Sequence, residues 1–356
     1  MSPFRILSLD GGGIRGMVPA LVLAELERRT GERVADMFDL IAGTSTGGIL
    51  ALGLTRPGPT GRPLYTANEM VDLYEKEGGR IFDRPTVHRL KALGNIADEK
   101  YPSDGIDEVL KARFGEARLA EAVTSVLVTA YDLEGRQPYF FKSHKARVSA
   151  HHDHRMRDVA RATSAAPTYF EPARIEVKDN DKGYVALVDG GVYANNPSAC
   201  ALVEAICAFD QRLDDIVMLS LGTGEYTRPI QFEEAKGWGL AKWAQPVLNV
   251  VFDGVSDTVN YQLQSLLMKE SRQSRYLRIQ AKLNDRNDAM DDARPENMKE
   301  MRAVAGGMLR EHDRSLDLIA AHLTGAAPWT PRSTVPGISP LALDLSSPKP
   351  VHPPTA

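Results

Sequence analysis

FDLIAGTSTGGILAL, Phe38 to Leu52, passes from one apolar run to another through Gly-Thr-Ser-Thr-Gly-Gly. The first run reads as a short strand, Asp39–Ala42, and the second as a short apolar helix, Thr46–Leu54. Between them, Gly43-Thr44-Ser45-Thr46-Gly47 fits G-x-S-x-G. In that pattern small flanking residues let a strand turn sharply into a helix and push a hydroxyl outward. A glycine-rich helix start explains the same five residues, and chance matches are common. The strand before and the helix after are the context that a nucleophile elbow requires. The helix N-terminus would also favour negative charge developing beside Ser45.

Outward from this turn, strands and helices alternate. Phe4–Leu9 reads as a strand and Val18–Arg29 as a helix with Pro19 in its first turn. Ala67–Glu77 and Asp104–Phe114 read as helices, the second capped by Ser103. TSVLVTAYDL and QPYFFKS form a hairpin about Glu134-Gly135-Arg136. IVMLSLGTG reads as a buried strand, Pro246–Leu267 as a long helix, RYLRIQAKL as a late strand, and Glu296–Leu323 as a helix broken at Gly306-Gly307. The pattern predicts one α/β domain, residues 1–323, with a mostly parallel sheet. Residues 324–356, rich in Pro and Ser, are expected to be a disordered tail.

Composition narrows the function. With 43% apolar residues in 356, a sizeable core can be buried. The 43 basic and 47 acidic residues are interspersed, net charge −4, which argues against nucleic acid as the main partner. No run reaches the ~20 apolar residues of a membrane span. In MSPFRILSLDGGG, Asp10 and three glycines interrupt any signal-peptide core. The expectation is a cytoplasmic protein that meets lipid only peripherally. Cys200 and Cys207 lie on one expected helix, roughly 10 Å apart, too far for a disulfide. They are expected to be buried thiols.

Two further motifs carry chemistry. LDGGGIRGMVPA contains Gly11-x-Gly13-x-x-Gly16, a dinucleotide fingerprint. That fingerprint needs an acid ending the next strand, where this chain has Gly43-Thr44-Ser45. Alternatively the amides of Gly11, Gly12 and Gly13 face an oxyanion, with Arg15 adding charge or lying on the surface. In LVDGGVYANNP, Asp189 ends a strand and is either a turn cap or a general base for a seryl hydroxyl. Only His312, His322 and His352 follow it, and none sits in a convincing active-site loop, so a Ser–Asp pair is favoured over a triad. The cluster His151-His152-Asp153-His154 has no second ligand group nearby in sequence, and no metal is expected. Pro138–Phe141, Trp238 and Trp243 are candidates for a lipid interface or an acyl pocket; core packing is the plainer reading.

DGGGIRG, GTSTGG and DGG, in this order, resemble the patatin-like phospholipases. AAPTYFEPARI, MLSLGTG, AKGWGLAKW and MDDARPENM are similar to segments of plant-type patatins, and the resemblance runs from about Phe4 to His312. It implies a three-layer α/β/α fold and hydrolysis of acyl esters of phospholipids or galactolipids, with no metal or cofactor. By motif it implies Ser45 as nucleophile between Gly43 and Gly47, Asp189 as base, and the amides of Gly11, Gly12 and Gly13 as oxyanion hole with Arg15 nearby. Membrane or micellar lipid is then the expected partner. Two alternatives stay open: a membrane-degrading effector activated by a cyclic dinucleotide, and a storage or binding protein without catalysis. An ordinary aspartate, with a pKa near ~4, is a poor base at neutral pH, so the dyad requires a dry site.

Overall fold

The computed structural model describes residues 3–82, 101–177, 181–225, 229–243, 246–267, 275–283 and 289–329. Most of the expected tail therefore lies outside the described residues. The strands are β1 (Phe4–Leu9), β2 (Leu40–Thr44), β3 (Ser125–Asp132), β4 (Gln137–Lys142), β5 (Ala173–Glu176), β6 (Tyr184–Asp189), β7 (Ile216–Leu221) and β8 (Tyr276–Ile279). The principal helices are α1 (Met17–Thr30), α2 (Thr46–Thr55), α3 (Ala67–Ile81), α4 (Asp104–Phe114), α5 (Met156–Thr163), α6 (Ser198–Ala208), α7 (Pro246–Leu267), α8 (Pro295–Glu311) and α9 (Asp313–Leu323).

The strands form one sheet in the order β5-β6-β3-β2-β1-β7-β8, with β4 also paired to β3. The run β3-β2-β1-β7-β8 is parallel throughout; β4 and β6 run antiparallel to β3. Alternation along the strands feeds two cores. Ile6, Leu40, Ala42, Leu127 and Met218 face α6 and α7, while Leu7, Leu9, Ile41, Val126 and Val128 face α1, α2 and the remaining helices. A sheet buried on both faces explains why its strands read as near-continuous apolar runs. The result is the expected α/β/α sandwich.

Local chemistry fixes the element ends. Thr66 and Glu69 form a reciprocal capping box that starts α3. Gly31, at φ 73°, closes α1 in the left-handed conformation that suits glycine. Three expectations change. Helix α3 continues four residues past Glu77, because Ile81 adds to its buried face. The break between α8 and α9 falls at His312, and the helix runs through Gly306-Gly307. Two helical glycines cost about 2 kcal/mol relative to alanine, less than the burial of Met298, Met301, Ala305 and Met308 along α8 returns. The cysteines are not buried: α6 turns Ala201, Leu202 and Ala205 inward, leaving Cys200 half-buried and Cys207 exposed.

Strand order reverses at β1, with β2 on one side and β7 on the other. In open α/β sheets that is where a ligand crevice forms beyond the carboxyl ends of the strands. The loop after β1 is anchored there by a buried ion pair. Arg278 of β8 makes two contacts to Asp10, 3.2 and 2.5 Å, and also donates to Ser220. Burial raises the Asp10 pKa, and the Arg278 charge opposes that shift. Arg278→Met is expected to destabilise the fold by about 3–5 kcal/mol, because it strands a buried carboxylate. A denaturant midpoint measured for the variant checks this value.

Candidate active site

The sharp turn after β2 places Ser45 at φ 55° and ψ −124°, a conformation that L-residues rarely adopt. The surroundings hold it there. The Ser45 amide donates to Thr163 Oγ1 (2.8 Å), whose own hydroxyl donates to the Thr129 carbonyl (2.7 Å). Thr46 and Tyr74 hydroxyls meet at 2.6 Å one residue further on. Gly43 and Gly47 are required by space. A Cβ on Gly43 would lie 2.2 Å from the Gly47 carbonyl oxygen, and one on Gly47 would lie 2.2 Å from the Leu9 carbonyl oxygen. The turn is therefore sealed against backbone, which explains the residue types on both sides of the serine.

Register carries Asp189 to the same level. Thr44 pairs with Thr129 across β2 and β3, and the adjacent Ala130 pairs with Asp189 across β3 and β6. Ser45 and Asp189 both line one pocket. Asp189 is 2% exposed, and its Oδ1 accepts from the Gly191 amide at 2.7 Å. Burial pushes its pKa up to about 7, against the opposing pull of the Ser45 hydroxyl and the Gly191 amide. An aspartate so placed holds or releases a proton near neutrality, which an exposed one does not.

The glycine loop after β1 forms the facing wall, and its three residues are not equivalent. The Gly11 amide donates to the Asn195 carbonyl (3.0 Å), and the Gly11 carbonyl accepts from Thr223 Oγ1 (2.6 Å). Gly11 is thus held as scaffold, which differs from the expectation that its amide faces an oxyanion. Gly12 and Gly13 line the pocket, and their amides donate to no acceptor among the described residues. Arg15 also departs from its expected place. It is 3% exposed, so it is no surface arginine, and it does not line the Ser45 pocket. Its Nε donates to the Gly12 carbonyl (3.2 Å), and the side chain lines a polar cavity with Asp10, Asp253 and Asp257. From there it braces the loop.

The pocket is walled almost entirely by apolar side chains. Leu73, Tyr74 and Ile81 contribute from α3, Ile106 from α4, Tyr169 and Phe170 from the loop before β5, and Phe252 from α7. Tyr74 touches Thr46, next to Ser45, and Ile81 lies seven residues along the same helix, roughly 10 Å further. The pocket therefore extends along α3 from Tyr74 to Ile81.

The other sequence candidates lie away from this pocket. Pro138–Phe141 forms β4 and contributes no residue to this pocket; Phe141 packs in the core, edge-on to the buried His154 at 5.2 Å. His151 and His152 are exposed, and no group of metal-ligating side chains occurs among the described residues. Trp238 and Trp243 are half-buried and pack on each other, neither in the core nor in the pocket. Sequence reasoning missed Thr163, Asn195, Thr223 and Phe252. Thr163 lies two residues before AAPTYFEPARI and Asn195 in VYANNP, but their partners come from distant parts of the chain.

The arrangement defines an α/β protein with a strained serine, a buried aspartate of raised pKa and a glycine loop at one pocket. The sequence model of the family described as Patatin-like phospholipase matches residues 7–201. Patatin-like protein 2 of Arabidopsis thaliana is 35% identical over 77% of this chain and 75% of its own length. Patatin-like protein 4 of the same plant is 32% identical over 85% and 82%. A Solanum tuberosum relative described as probable inactive patatin-3-Kuras 1 is 31% identical over 86% of both chains. This chain belongs to the patatin-like phospholipase family. Among the described residues no helix is long and apolar enough to cross a membrane.

Proposed function

We propose that the chain is a lipid acyl hydrolase acting through Ser45 and Asp189. The observation that supports this best is the meeting, on one apolar pocket, of a serine in a strained strand-to-helix turn and a buried aspartate with its pKa near 7. Ionised Asp189 takes the Ser45 proton as Oγ attacks the ester carbonyl carbon. The carbonyl electron pair moves onto oxygen, which the amides of Gly12 and Gly13 and the start of α2 stabilise. Collapse expels the alcohol as it recovers the proton from Asp189, leaving an acyl group on Ser45. Water then attacks the acyl-enzyme, again giving its proton to Asp189, and the fatty acid leaves. The net reaction is ester plus water to acid plus alcohol.

The apolar pocket favours a fatty-acyl chain over a polar acyl group. A cytoplasmic protein that meets lipid peripherally is consistent with this reading. Incubation with a diacyl phospholipid, with products separated by mass spectrometry, tests it. Free fatty acid and lysophospholipid in equal amounts are expected. Intact lipid after prolonged incubation, with folded protein, would instead favour a storage or binding protein.

A further inference from the structure

The peptide joining Gly11 to Gly12 lies against the Ser45 side chain. A Cβ added to Gly11 would stand 3.2 Å from the Cβ of Ser45, and Gly12 lines the Ser45 pocket. The same peptide meets Thr223, whose Oγ1 donates to the Gly11 carbonyl at 2.6 Å. This contact leaves no room for a side chain on the loop. A Cβ on Gly12 would lie 2.1 Å from Thr223 Oγ1 and 2.7 Å from Thr223 Cβ. Thr223 itself is 3% exposed and does not line the Ser45 pocket.

Peptide geometry turns that contact into an orientation. No peptide bond among the described residues is cis. In a planar trans peptide the carbonyl and the following N–H point in opposite directions. A hydroxyl that holds the Gly11 carbonyl therefore aims the Gly12 N–H away from Thr223, and that N–H has no acceptor among the described residues. The next peptide repeats the device. Arg15 Nε holds the Gly12 carbonyl at 3.2 Å, which turns the Gly13 N–H the other way. A hydrogen bond to the carbonyl also polarises the peptide and strengthens its N–H as a donor. Thr223 is in turn fixed from β8 and the residue after it. On its two sides, the Gly222 amide donates to the Ile279 carbonyl (2.9 Å) and the Gly224 amide to Gln280 Oε1 (2.7 Å).

We propose that Thr223 is a positioning residue for acyl transfer: its hydroxyl sets the peptide between Gly11 and Gly12 so that the Gly12 amide meets the oxyanion formed at Ser45. The proposal rests on the reading of the chain as a Ser45 acyl hydrolase. Thr223 touches no reacting atom and acts only through that amide. The negative charge it serves exists in the tetrahedral intermediate and not in the bound ester. Loss of the hydroxyl therefore lowers kcat and spares KM.

The test compares wild type, Thr223→Val and Thr223→Ser in the full chain, with melting curves as folding controls. Valine closely keeps the volume and removes the donor, whereas serine keeps the donor. On p-nitrophenyl butanoate, Thr223→Val is expected to lose about 10- to 100-fold in kcat, with KM within about twofold of wild type. Thr223→Ser is expected to stay within about threefold of wild type in both constants. A trifluoromethyl ketone, captured by the serine hydroxyl as a tetrahedral adduct, should bind Thr223→Val more weakly by the same factor as kcat falls. The methyl ketone of equal chain length, which mimics only the bound ester, should bind both proteins alike. Equal kcat in wild type and folded Thr223→Val overturns the proposal. So does a higher KM at unchanged kcat, or a loss of kcat that serine does not restore. Should Thr223→Val not fold, Thr223→Ser still decides, since a folded serine variant at about a tenth of wild-type kcat or less overturns the role of the hydroxyl. A wild type that hydrolyses no ester removes the hydrolase reading and this role together, whereas a fully active valine variant removes the role alone.

Discussion

Ser45→Ala is expected to lower kcat/KM on a soluble ester by roughly 10⁴-fold or more while the fold stays intact. The reason is local. The backbone amide of Ser45, not its hydroxyl, makes the structural bond to Thr163. Removing Oγ therefore deletes the proposed nucleophile and disturbs nothing that holds the turn. Alanine also inherits the strained backbone at φ 55°, so no strain is released that would reshape the loop. Circular dichroism and a melting curve overlaying wild type are the required controls. A folded variant that keeps a tenth of the activity would place the nucleophile elsewhere.

Asp189→Asn is expected to abolish activity and stabilise the protein at the same time. In the folded chain the Asp189 pKa is about 7, above the 3.8 of an ordinary aspartate. Between those values the folded state holds a proton that the unfolded state has released. Wild-type stability therefore falls as pH rises through this window, by roughly 4 kcal/mol in all, and the loss is complete above about pH 7. Asparagine has no such ionisation and keeps an oxygen for the Gly191 amide. The melting temperature of the variant should thus match wild type near pH 4 and exceed it by several degrees near pH 8. An unchanged difference across that range would mean that Asp189 ionises as an exposed carboxylate does.

The split between what the sequence discloses and what it hides follows contact range. Ser45 is legible because its requirements are local: Gly43 and Gly47 must lack side chains, and the strand and helix on either side carry their own periodicity. The same holds for the order of β1, β2 and β6 and for the two-faced burial of the sheet. The state of Asp189 is not legible. Its pKa depends on how completely β3, α7 and the segment after α5 exclude water, and no short pattern encodes that. Gly11 shows the same limit more sharply. Its sequence context is that of an oxyanion-loop glycine, yet the Asn195 carbonyl, far along the chain, engages its amide. Arg15 was expected near the oxyanion or on the surface, and the polar cavity formed by Asp253 and Asp257 of α7 draws it behind the loop. The tryptophans lie neither in the core nor in the Ser45 pocket, because a half-exposed apolar surface leaves the same composition as a buried one.

The central claim is that a buried aspartate, poised near neutrality, activates Ser45. The measurement that tests it most directly is kcat/KM for a p-nitrophenyl butanoate ester between about pH 5 and pH 9, for wild type and Asp189→Asn side by side. The account predicts a wild-type rate that falls about tenfold per pH unit below about 7, and a variant at background throughout. A wild-type rate level down to about pH 5, or a folded variant that keeps the wild-type profile, would contradict it.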